Sequence, residues 1–78
     1  MYGGRSVQVI LPALNEAGKI GRAVTRIPKD VVDSVVVVDD GSSDSTAEEA
    51  QAAGATVLRH PVNRGVGAAI RTGIQHAE

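Results

Sequence analysis

Apolar and polar positions follow two different periods along this chain. Residues 7–11, VQVIL, form a short apolar run closed by Pro12, the pattern of a buried strand whose ladder ends at a residue without an N–H. In the following PALNEAGKIGRAVTRIP, Ile20, Ala23, Val24 and Ile27 recur at helical spacing while Lys19, Arg22 and Arg26 take the other side. This predicts an amphipathic helix, capped by Asn15 and stopped at Pro28. Ser34 to Asp39 reads as a second strand, valine-rich and apolar on both faces, as an interior parallel strand requires. Ser45 followed by Glu48 makes a capping box for an alanine-rich helix that Gly54 ends. The third strand is ATVLRH, residues 55–60, and beyond the turn PVNRG the positions Val66, Ala69, Ile70, Gly73, Ile74 and Ala77 share one helical face. The order βαβαβα predicts an α/β fold with three layers, a parallel sheet between helices, and right-handed crossovers.

Composition narrows the picture. At 78 residues the chain is a single domain, 1–78, and a domain of this size buries only about 60% of its unfolded surface. Hydrophobic residues make up 42%, many of them alanine, and Tyr2 is the only aromatic, so the core is thin and stability marginal. A net charge of -1 gives no field for nucleic acid or an anionic membrane. The charges are segregated, with acids concentrated from Asp30 to Glu49 and Arg59, His60, Arg64, Arg71 and His76 beyond them. Without cysteine there are no disulfides and no thiolate metal sites. No run approaches the roughly 18 apolar residues of a membrane span, and the first residues lack a signal peptide's apolar region. The expectation is a soluble, cytoplasmic chain.

Candidate chemistry concentrates in VVVVDDGSSDST, residues 35–46. Parallel sheets bind ligands outside the carboxyl ends of their strands, and Asp39 and Asp40 stand at such an end. Adjacent carboxylates repel unless hydrogen bonds or a ligand offset the charge, so two in succession point to a site, whereas Ser43, Asp44 and Ser45 suit turn and capping work. As neighbours in a strand, Asp39 and Asp40 face opposite sides and do not chelate one metal, and neither is assigned as catalytic. The run from Gly65 to Ile70 begins like a dinucleotide fingerprint but lacks its last glycine and its later acid, which argues against an NAD site. His60 and His76 read as ordinary surface or turn histidines. Arg64, beside Gly65 at a helix start, is a candidate for contact with phosphate.

Three segments carry a resemblance: Pro12-Ala13-Leu14-Asn15-Glu16 after the first strand, Val38-Asp39-Asp40-Gly41-Ser42-Ser43-Asp44-Ser45-Thr46 after the second, and Asn63-Arg64-Gly65-Val66-Gly67-Ala68-Ala69 after the third. In this order and spacing they resemble the family 2 glycosyltransferases, over nearly the whole chain. The third segment is most similar to polyprenyl-phosphate (dolichyl-phosphate) mannosyl- and glucosyltransferases. The resemblance implies the N-terminal half of a GT-A, Rossmann-like fold that transfers a sugar from a GDP- or UDP-linked donor to an acceptor, polyprenyl phosphate among the candidates. It further implies that Pro12, Leu14 and Glu16 contact base and ribose, that Asn15 shapes the turn, and that Val38 and Asp40 border the base. Asp39 would orient the loop, and Arg64 would approach the diphosphate.

Family members carry an Asp-x-Asp type motif that holds Mg²⁺ or Mn²⁺ against the diphosphate, and no such motif follows the last helix of this sequence. The expectation is therefore a nucleotide-binding portion truncated before the metal motif, with no cofactor of its own, inactive alone, and peripheral to the membrane only in its full-length form. Its first strand would expose an unpaired edge and drive self-association. Two other classes stay open. A non-catalytic binding or interaction fragment is one. A phosphorelay receiver is the other, although its acid pair normally follows the first strand.

Overall fold

The structure, a computed structural model, describes residues 3–77, so Tyr2 and Glu78 lie outside the described residues. The three predicted strands form β1 (Gln8–Ala13), β2 (Ser34–Asp39) and β3 (Thr56–Arg59). They make one parallel sheet in the order β1-β2-β3, with Val37 of the central strand opposite Leu11 on one side and Val57 on the other. Helices α1 (Ile20–Thr25), α2 (Thr46–Ala52) and α3 (Val66–Ala77) complete the βαβαβα order. This is the three-layer parallel fold predicted from the sequence.

Strand alternation explains the two cores. Val35 and Val37 point to one face and pack with Ile20 and Val24 of α1 and Ala50 of α2. Val36 and Val38 point to the other, where Ala69 of α3 covers them and Ile10 and Leu58 flank them. Both faces of β2 are dry, which is why its valines run without polar interruption. Helix α3 approaches the sheet closely through Gly73, where an added Cβ would come within 2.5 Å of an Ile10 methyl.

Boundaries and caps differ from the sequence-based expectation: β3 is shorter than residues 55–60, α1 ends at Thr25 ahead of Pro28, and three further differences have local causes. Strand β1 continues through Pro12 to Ala13. The Val7 and Ala13 carbonyls accept from backbone N–H groups at residues 33, 34 and 40, so odd-numbered residues of β1 face β2 and the missing N–H of Pro12 falls on the outer edge. Helix α1 begins only at Ile20, and Asn15 is not its cap: Asn15 adopts φ +53° in the turn before it. The Ser45–Glu48 capping box does not form, since Ser45 makes no side-chain cap bond; Asp44 accepts from the Thr46 N–H and hydroxyl instead. Gly54 does end α2, at φ +103°, with Gly54 N–H bonded to the Gln51 carbonyl and Ala55 N–H to that of Ala50, a Schellman closure.

Candidate nucleotide-binding cleft

The carboxyl ends of β1 and β2 and the start of α3 enclose a cleft of about 270 Å³. Pro12, Ala13 and Leu14 contribute from β1 and its exit, joined by Glu16, while Asp40 stands at the end of β2. Asn63 and Gly65 close it from the loop, and Val66 and Ala69 from α3. The walls are mostly aliphatic and the polar groups few, the composition of a slot for a flat, partly polar ligand.

Asp40 is 4% exposed, and its carboxylate organises this end of the sheet. Oδ1 accepts from the Arg64 N–H at 2.9 Å and lies 2.7 Å from His60 Nδ1, and Oδ2 accepts from the Gly65 N–H at 2.8 Å. The His60 bond, followed by those from the Arg64 and Gly65 backbone, holds the Asp40 pKa below the usual carboxylate range against the opposing effect of burial. A carboxylate offers about four lone-pair sites, so these contacts leave one acceptor site, on Oδ2.

The hydroxyl-rich segment after Asp40 is spent on the turn that follows β1. Ser42 Oγ accepts from the Asn15 N–H, Thr46 Oγ1 from Glu16, Asp44 Oδ2 from Ala17, and Glu49 from both Gly18 and Gly21. Asn15 Oδ1 returns the contact by accepting from the Ser43 N–H. The backbone donors of residues 15–18 are thus satisfied within the chain, and a diphosphate would find none of them free.

The structure brings Pro12, Leu14, Glu16 and Asp40 together in the cleft lining. The other four candidates lie elsewhere. Val38 is fully buried in the core under α3. Asp39 is also fully buried, on the opposite face of β2 from Asp40. Its Oδ1 accepts from the Ser42 N–H, and its Oδ2 lies 3.4 Å from Arg59 Nε without accepting a hydrogen bond from the described residues. Asn15 braces the turn, and Arg64 is exposed, reaching Asp40 through its backbone N–H.

Sequence pattern alone missed His60. Far from being a surface histidine, it is 6% exposed and bonded at both ring nitrogens. Strand register could have revealed it: Asp39 pairs with Arg59 across β2 and β3, so the next residues, Asp40 and His60, also meet. No group of three or more His, Cys, Asp or Glu side chains able to hold a metal ion exists among the described residues. Asp39 and Asp40 diverge, and three bonds already occupy Asp40. These residues do not fit an Mg²⁺ or Mn²⁺ site.

The glycosyl transferase family 2 model matches residues 8–78. Uncharacterized protein MJ1222 of Methanocaldococcus jannaschii is 46% identical over 69 residues, covering 88% of this chain and 28% of that protein. Glucosyl-3-phosphoglycerate synthase of Mycolicibacterium smegmatis is 47% identical over 58 residues, covering 70% of this chain and 19% of the enzyme. A crystal structure of the Mycobacterium tuberculosis glucosyl-3-phosphoglycerate synthase with Mn²⁺, UDP-glucose and glycerol 3-phosphate superimposes with a TM-score of 0.82 at 35% identity, over 94% of this chain and 30% of that one. The chain therefore spans less than a third of the length of these relatives.

Proposed function

This chain belongs to glycosyl transferase family 2, and on that premise we propose that its cleft binds the nucleoside of a nucleotide-diphospho-sugar, the donor in a hexosyl transfer. The observation that carries the proposal is Asp40: a braced carboxylate with one acceptor site left, at the carboxyl end of a parallel strand, in a mostly aliphatic slot. Leu14 and Val66 would flank the base from opposite walls, and Asp40 would accept one hydrogen bond from the base edge or the ribose.

A uridine nucleotide is favoured over a guanosine one, because UDP-glucose and UDP occupy structures of the M. tuberculosis relative. The same relatives turn the acceptor reading away from polyprenyl phosphate and toward a small phosphorylated acid, phosphoglycerate in their case. When bound, a divalent metal neutralises charge on the departing diphosphate. In this proposal its ligands come from residues other than Asp39 and Asp40, and this chain's part is to bind and orient the nucleoside. Calorimetric titration of the 78-residue chain with UDP and GDP is the direct test. UDP should bind more tightly than GDP, and Asp40→Ala should weaken UDP binding about tenfold, the effect of losing one hydrogen bond to a charged group. Undiminished binding by Asp40→Ala would sink the assignment.

A further inference from the structure

His60 lies behind the cleft wall, and nucleoside binding alone gives it no role. It follows β3 directly, and its buried ring bridges two elements, with Nδ1 2.7 Å from Asp40 Oδ1 and Nε2 2.8 Å from Thr72 Oγ1 on α3. An ionised carboxylate only accepts, so the proton between them sits on Nδ1. In the neutral ring Nε2 then accepts from the Thr72 hydroxyl, which selects the Nδ1–H tautomer that free histidine disfavours. A ring kept only to fill space would bury two polar nitrogens at a cost that any aliphatic side chain avoids. Here both nitrogens are used, and the one on Asp40 matters most. The N–H groups of Arg64 and Gly65 belong to a loop, whereas His60 reaches Asp40 from the end of the sheet itself: its own N–H is bonded to the Asp39 carbonyl at 2.9 Å.

We propose that His60 is a positioning residue. Through Nδ1 it fixes the rotation of the Asp40 carboxylate so that the unused acceptor site on Oδ2 meets the nucleoside, and through Nε2 it ties that setting to Thr72 on α3. The part played toward the nucleoside rests on the nucleotide reading of the cleft. The hydrogen-bond relay does not.

The test compares the wild-type chain with His60→Asn, His60→Phe and Thr72→Val, using long-range proton–nitrogen correlation for the imidazole, UDP calorimetry for the cleft and thermal melts to confirm folding. Asparagine keeps a donor near the place of Nδ1, phenylalanine keeps only bulk, and valine removes the Thr72 hydroxyl at constant shape. Wild-type His60, where the ring is neutral, should appear as the Nδ1–H tautomer and should keep it in Thr72→Val, where the Nε2 resonance alone should shift, because the Asp40 carboxylate holds the proton on Nδ1. UDP affinity should fall about tenfold in His60→Phe and return to within about threefold of wild type in His60→Asn. A wild-type Nε2–H tautomer, or a folded His60→Phe chain that binds UDP as wild type does, would overturn the proposal. If wild type bound no UDP, the nucleotide reading would fail, and the tautomer and the Nε2 response to Thr72→Val would decide the relay by themselves.

Discussion

Adjacent aspartates at a strand end are tolerable here because the pleat sends them to opposite faces, where each meets a base from the neighbouring strand. Asp39 faces Arg59 and Asp40 faces His60. Gly41 then turns the chain so tightly that the 62–63 backbone passes over its Cα. At φ +84°, with an added Cβ placed 2.6 Å from Asn63 N and 2.7 Å from the Val62 carbonyl carbon, this position admits only glycine. Gly41→Ala should therefore displace the loop that delivers the Arg64 and Gly65 N–H groups to Asp40. We expect a loss of about 2–4 kcal/mol of stability, combining left-handed strain with a backbone clash, and weakened UDP binding. Gly54→Ala, where φ is +103° but nothing lies within 4 Å, isolates the strain and should cost about 1–2 kcal/mol without touching the cleft. Equal losses in chemical melts of the two variants would refute the loop argument. At this scale the place of Asp40 at the mouth of the candidate cleft was legible in the sequence, because a second carboxylate directly after a valine run stands at the carboxyl end of a strand. His60 was not, because its partner lies 20 residues away and only the register brings the pair together.

At the scale of elements, strands and helices were legible wherever apolar periodicity and burial agree. The failures fall in the segment before α1, where side chains from a distant segment override local signals. Asn15 looks like a helix cap, yet the donors of residues 15–18 are taken by Ser42, Thr46, Asp44 and Glu49, so the turn is shaped by α2 and its approach. Glu49 in effect caps α1 from another helix. These bonds make stability depend on acid. The Glu49 pKa is held down by the Gly18 and Gly21 N–H groups, and that of Asp44 first by the Thr46 hydroxyl and then by backbone donors. A folded pKa below the unfolded one contributes stability above the unfolded value and loses it as pH falls through the folded value. The contribution of these two acids should be constant near neutrality and decline below the ordinary glutamate value of 4.5. Glu49→Gln should lower stability at pH 7 and flatten that decline, because the amide no longer binds a proton there. Urea melts across pH check this, and an unchanged acid slope in Glu49→Gln would exclude the cap.

On the scale of the molecule, the sheet is closed on neither side, and the β1 side combines two unsatisfied surfaces. The outward backbone groups of Gln8, Ile10 and Pro12 have no strand beside them among the described residues, and Gln8 keeps a buried side-chain oxygen without a hydrogen-bond partner there. On α3, Thr72 turns toward His60 on the β3 side, so Ile70 and Ile74, about 160° away around the helix, turn toward β1's free edge. They are 40% and 49% exposed, and Val66 beside them is 64% exposed. An antiparallel pair of β1 edges related by a two-fold axis through Ile10 fits both surfaces. The two Ile10 residues would exchange N–H and C=O bonds, and each Gln8 N–H would donate to the Pro12 carbonyl opposite, so the missing proline N–H leaves only the Gln8 carbonyl unpaired. Because α3 packs over β1 and β2, the two α3 helices would then lie about 10 Å apart, two strand spacings of ~4.8 Å, which is the distance at which helices pack. The apolar stripes would meet across the axis. We predict that the 78-residue chain forms this dimer in solution, a closed pairing that hides an edge otherwise open to aggregation. Sedimentation equilibrium over a concentration series should give a dimer for wild type and a folded monomer for Ile70→Lys with Ile74→Lys. A wild-type chain that remains monomeric at hundreds of micromolar, or a dimer indifferent to both lysines, would refute the pairing.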